Sequence, residues 1–142
     1  MNSRFPKPSA SEVASFRAEA PTNIPEEYVE YVEAHGAVQI DIESIGSGLV
    51  WFWSLPEVME LNRGYRFQEF APGLFGFGSD GAGELYAFDL RDPANVTVGQ
   101  VPSIPLQIDR YRIIANSFRE FAGMLEFGSP VPPPPHDETH AD

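Results

Sequence analysis

The chain has no cysteine. Disulfide scaffolds, thiolate zinc sites, iron–sulfur clusters and cysteine nucleophiles are therefore excluded, and the absence fits a reducing compartment. No stretch approaches the ~18 apolar residues of a membrane helix. Met1 to Pro8 is polar, is broken by Pro6 and Pro8, and has no apolar run of signal-peptide length. These features lead to the expectation of a cytoplasmic protein with no membrane contact. Positive charge is also scarce, with 9 Lys and Arg against 21 Asp and Glu and a net charge of −12.

The surplus is concentrated. Between residues 12 and 60 stand Glu12, Glu19, Glu26, Glu27, Glu30, Glu33, Asp41, Glu43, Glu57 and Glu60, against Arg17 alone. Such a surface repels nucleic-acid phosphates and anionic lipid, so direct nucleic-acid binding is not expected. It would steer a basic protein toward itself. The simpler reading is that the charge serves solubility.

What is abundant is aromatic. Eleven Phe, 5 Tyr and 2 Trp in 142 residues are ample for one core. The expected layout is a short flexible N-terminus (1–8), one domain (9–127) and a disordered proline-rich tail (128–142) that acts as a spacer or a ligand for a proline-reading domain.

Four segments have helical period and helix-end chemistry. Ser9 and Glu12 have capping-box spacing ahead of Val13, Phe16 and Ala20. Pro25 precedes a stripe of Tyr28, Val29, Tyr31 and Val32, with Glu26, Glu27, Glu30 and Glu33 on the other side and Gly36 as the stop. Ser54 and Glu57 open a third helix that Gly64 ends, and Ser117 and Glu120 a fourth that carries Phe118, Phe121, Ala122 and Leu125. Strand signals lie at Val38–Ile42, Leu49–Trp53, Leu74–Gly78, Glu84–Asp89, Val96–Val101 and Tyr111–Ala115. Strands and helices do not alternate, which predicts an α+β fold with a mostly antiparallel central sheet and helices packed against it.

Several motifs imitate catalytic chemistry. Gly76 to Gly81 matches G-x-G-x-x-G, but the following Glu84–Asp89 reads as a strand, so the helix N-terminus that would hold a pyrophosphate is missing. The match reads instead as a hairpin in which Gly81 and Gly83 supply positive φ and Asp80 shapes the turn. Glu84 and Asp89 have opposite parity and should face opposite sides of the sheet, which argues against a carboxylate pair. His35 ends the acidic helix, where a cation suits the dipole. His136 and His140 lack the H-E-x-x-H order. No metal, cofactor or catalytic residue is expected. Trp51 and Trp53 share parity on one strand, and an exposed one would serve as a binding anchor.

Four segments carry a resemblance. They are Ile24 to Gly36, Trp51 to Val58, Phe75 to Asp89 (FGFGSDGAGELYAFD) and Ile114 to Phe121 (IANSFREF). In this order and spacing they resemble the SUKH superfamily, in its branch of cell-wall-assembly regulators and killer-toxin-resistance proteins, over residues 24–125. The resemblance implies a central antiparallel sheet and no catalytic site. It assigns a structural role to Asp80, Gly81, Gly83, Glu84, Tyr86 and Asp89. It implies either a bacterial immunity protein that blocks a cognate toxin, often a nuclease, or a regulatory and scaffold module. With the acidic surface, the first reading predicts a basic protein partner, met by Glu26, Glu27, Glu30, Glu33, Asp41, Glu43, Trp51 and Trp53. Oligomeric state is left open.

Overall fold

The computed structural model describes residues 6–42 and 48–130. Glu43, His136, His140, residues 1–5 and the tail from Val131 lie outside the described residues.

Helix α1 (Ala10–Glu19) starts where Ser9 Oγ accepts from the Glu12 amide at 3.1 Å and the Glu12 carboxylate accepts from the Ser9 amide at 2.9 Å. Helix α2 (Glu26–His35) follows Pro25 and ends at Gly36, whose φ of 77° suits a residue without a Cβ. Strands β1 (Gln39–Asp41) and β2 (Leu49–Phe52) come next. Helix α3 (Leu55–Gly64) is capped by the Ser54–Glu57 box. A four-residue helix α4 (Phe67–Phe70), for which the sequence carries no period signal, leads into β3 (Leu74–Ser79). Strands β4 (Glu84–Asp89), β5 (Thr97–Pro102) and β6 (Arg112–Ala115) complete a meander. Helix α5 (Phe118–Glu126) and a short β7 (Ser129–Pro130) end the described chain. At α5 the box is offset: Ser117 caps the Glu120 amide, but the Glu120 carboxylate takes the Asn116 amide at 2.6 Å.

The seven strands lie in the order β6-β5-β4-β3-β2-β1-β7, and every pair is antiparallel. This is an α+β fold. Beyond residue 127, Ser129 and Pro130 pair with Asp41 and Ile40.

One sheet face carries Val50, Phe52, Tyr86, Phe88 and Val98, all fully buried. Helices α2 and α5 cover it. The Tyr28 ring lies 6.4 Å from Phe52, 5.4 Å from Phe77, 5.2 Å from Phe88 and 5.7 Å from Phe118. Each buried phenylalanine here stabilises by roughly 2–3 kcal/mol before the entropy of ordering it. The opposite face carries Trp51, Ser79, Leu85 and Val101 in one register row. It is covered in part: Trp53 and Phe67 pack over Gly76, and Tyr111 lies against Gly99.

Candidate protein-docking site

The glycine-rich hairpin is a scaffold, and its geometry explains each glycine. Gly81 and Gly83 have φ of 74° and 103°. A Cβ at Gly76 would meet the Phe67 ring at 2.7 Å, and one at Gly78 the Trp51 carbonyl oxygen at 2.6 Å. Asp80 is buried, and its Oδ1 accepts from the Ala82 and Glu84 amides at 2.7 and 3.0 Å. Glu84 and Asp89 face opposite sides of the sheet, each with its own arginine: Glu84 with Arg112 at 2.9 Å and Asp89 with Arg91 at 2.7 Å. The Asp89 carboxyl is held below the usual range by its bond to Arg91.

Tyr86 links this hairpin to β2. Gly78 stands opposite it on β3, so nothing blocks the ring, and its hydroxyl donates to the Leu49 carbonyl at 2.8 Å. Burial, more than the nearby Asp80, raises the hydroxyl's pKa and keeps it a donor. The bond fixes the strand that presents Trp51.

The two tryptophans separate. Val50 and Phe52 point into the core, so Trp51 points away from it and is 40% exposed. Trp53, whose amide donates to Phe77 O at 3.0 Å, stays on the sheet face of Trp51 and packs over Gly76. Trp53 is buried and stacks on Tyr65 with centroids 6.1 Å apart. Trp53 is a packing residue, a correction to its place among the expected anchors.

The expected acidic surface also divides. Gln39 pairs with Trp51 and Asp41 with Leu49, so Asp41 is Trp51's diagonal neighbour on the same sheet face. Its carboxylate rests against Gly48, where a Cβ would lie 2.7 Å from Oδ1. The acidic helix α2 packs on the opposite face through Tyr28 and Tyr31. Three of its acids have arginine neighbours. Arg17 holds Glu26 with two bonds of 2.6 and 2.7 Å and stands 4.0 Å from Glu33, while Arg119 reaches Glu27 at 3.5 Å. Arg17 thereby lowers the Glu26 pKa. Glu30 is exposed and has no ion pair within 4.0 Å among the described residues. Glu12 and Glu57 are engaged in helix caps. Thus α2 and the Asp41–Trp51 pair are two separate patches, and the helix patch is partly neutralised.

At the C-terminal end of α2 the His35 ring lies 4.4 Å from that of Tyr31. Burial pushes the Tyr31 hydroxyl up to about 12. Among the described residues, no three His, Asp or Glu side chains are grouped to hold a metal ion, and no helix is long and apolar enough to cross a membrane.

Sequence reasoning missed Asn62. Its Nδ2 donates to Gly76 O at 2.8 Å and to Val58 O at 2.7 Å, and its Oδ1 accepts from Gly76 N at 2.8 Å. A lone polar residue in an amphipathic helix carries no local sign of such a long-range role.

Six of the seven strands thus form an antiparallel meander around this glycine hairpin, and β7 adds itself beside β1. Residues 7–123 match the SMI1 / KNR4 family (SUKH-1). The chain belongs to that family. The match spans α1 to the middle of α5 and so includes the hairpin, the Trp51 strand and the acidic helix α2. No curated protein matches this SUKH-1 domain.

Proposed function

We propose that this SUKH-1 domain is a cytoplasmic, non-enzymatic protein-binding module that acts as an immunity protein, neutralising a cognate toxin of the nuclease class. The observation that carries the reading is Trp51. An indole 40% exposed on a sheet strand, with Asp41 as its diagonal neighbour on the same face, is suited to receive a lysine or arginine of a basic partner. Membership of the SUKH-1 family supports the same reading. So does the net charge of −12, because a nuclease needs a basic surface to hold phosphates.

The test is co-expression with each candidate toxin domain of the nuclease class from the same genome, with survival scored and affinity measured on the purified pair. Trp51→Ala should weaken binding at least tenfold and abolish protection. Asp41→Lys and Glu30→Lys should each slow association at low salt, and the larger effect identifies the face that docks. Full protection by Trp51→Ala would sink the proposal.

A further inference from the structure

We propose that Tyr86 is a positioning residue for the docking indole: its hydroxyl holds the stretch of β2 that presents Trp51, so that a partner meets an anchor already set. The inference rests on the reading of Trp51 as that anchor.

The need arises from how β2 is paired. Backbone groups alternate in direction along an antiparallel strand. The Phe52 amide donates to Val38 O and the Gly48 carbonyl accepts from the Ile42 amide, so Gly48, Val50 and Phe52 bond toward β1. Leu49, Trp51 and Trp53 therefore bond toward β3. Trp51 stands opposite Ser79, and the Trp53 amide donates to Phe77 O. Leu49 has no strand partner on that side, because β3 ends at Ser79 and the chain turns at Asp80, whose amide donates to Glu84 O. A backbone carbonyl left facing a gap needs a donor. Tyr86 supplies it from β4, two strands away: its hydroxyl donates to Leu49 O at 2.8 Å.

The donor is firmly seated. Strand β4 pairs along its length with β3 and β5. The Tyr86 ring is fully buried, 5.8 Å from Phe121 of α5 and 6.3 Å from Phe77. Gly78, opposite Tyr86 on β3, has no side chain to block the ring's path toward β2. The acceptor lies two residues from Trp51 in a strand of only four. A group fixed before binding spares the association the cost of ordering it.

Hydrogen exchange on the free chain tests the role, because it reads local opening while the molecule stays folded. Val98→Ala, at a fully buried site on β5, is the comparator for a general loss of stability. In Tyr86→Phe the amides of residues 49–53 should exchange at least fivefold faster than in the wild type, with those of residues 97–101 within twofold. Acrylamide should quench Trp51 at least twofold more strongly in Tyr86→Phe, read in a Trp53→Phe background where it is the sole tryptophan. The nuclease-class domain that the wild type neutralises should bind Tyr86→Phe at least threefold more weakly. Unchanged exchange at 49–53, an equal change in Val98→Ala, or faster exchange with unaltered affinity would overturn the proposal. Full protection by Trp51→Ala is a different failure: it removes the anchor itself, and this role with it, even where β2 loosens in Tyr86→Phe.

Discussion

Asn62 and Gly76 exchange two hydrogen bonds of 2.8 Å, side chain to backbone, at the point where β3 loses its neighbour β2. Strand β2 pairs with β3 only at Trp51–Ser79 and Phe52–Gly78, after which the Trp53 amide bonds to Phe77 O and the chain turns into α3. The primary amide of Asn62 stands in for the missing strand. Asn62→Ala should cost about 2 kcal/mol in urea unfolding, because two backbone groups lose their partner. Asn62→Asp should cost more, since a carboxylate would face the carbonyls of Gly76 and Val58. A loss under about 0.5 kcal/mol in both would show that water replaces the amide.

Tyr28 is fully buried among five aromatic rings, and its hydroxyl has no hydrogen-bond partner among the described residues. Removing that oxygen relieves a desolvation penalty while keeping the ring packing. Tyr28→Phe should raise stability by about 1 kcal/mol, measured as a higher urea midpoint with an unchanged slope. A lower midpoint would reveal a partner for the hydroxyl.

Two glycines should respond with opposite signs. Gly123 sits within α5 with nothing within 4 Å of an added Cβ, so Gly123→Ala should stabilise by roughly 0.5–1 kcal/mol through helix propensity. Gly78→Ala drives a methyl into the Trp51 carbonyl and the backbone of Phe52, and should destabilise by about 2 kcal/mol or more. Calorimetry on the pair checks both.

Arg66→Gly should stabilise the free domain by about 1 kcal/mol, since glycine accepts the left-handed backbone. The substitution also removes the exposed ion pair with Glu69 and the stacking on Phe70, and the relieved strain should outweigh them. A lower thermal midpoint would mean that these two interactions outweigh it.

Asp89 makes stability depend on acid. Its folded-state pKa is depressed, chiefly by the bond from Arg91. Its contribution is complete above an ordinary aspartate pKa of about 4 and disappears as pH falls through the lower folded value. Arg91 is largely exposed, so the contribution is on the order of 0.5 kcal/mol. Asn keeps an acceptor for the Arg91 amide, so Asp89→Asn isolates the charge. The stability gap between wild type and variant should be present at pH 6 and absent at pH 2. A gap of constant size would assign it to packing.

What was legible in the sequence was local. The serine–glutamate caps of α1 and α3, the Gly36 stop and the Asp80 hairpin depend on residues a few positions apart, and the structure places them as expected. Long-range pairing was not legible. Arg17 meets Glu26 nine residues on, and Arg119 meets Glu27 from ninety-two away, so linear charge density overstated the acidity of α2. Trp53 differs from Trp51 in burial and not in face: it packs over Gly76 and stacks on Tyr65, contacts with residues distant from strand β2 in sequence that no local pattern announces. The third cap slipped by one residue because Glu120 found the Asn116 amide.

Strand β7 closes the sheet from the far end of the chain, laying Pro130 beside Ile40 across about ninety intervening positions. During synthesis, β1 therefore waits with one side unpaired until nearly all the described residues have left the ribosome, while the β3–β4–β5 hairpins need only their sequence neighbours. The outer margin of β1 is thus the last seam to seal on the nascent protein, and the first place where a premature stop would leave open hydrogen-bonding groups for other chains to occupy.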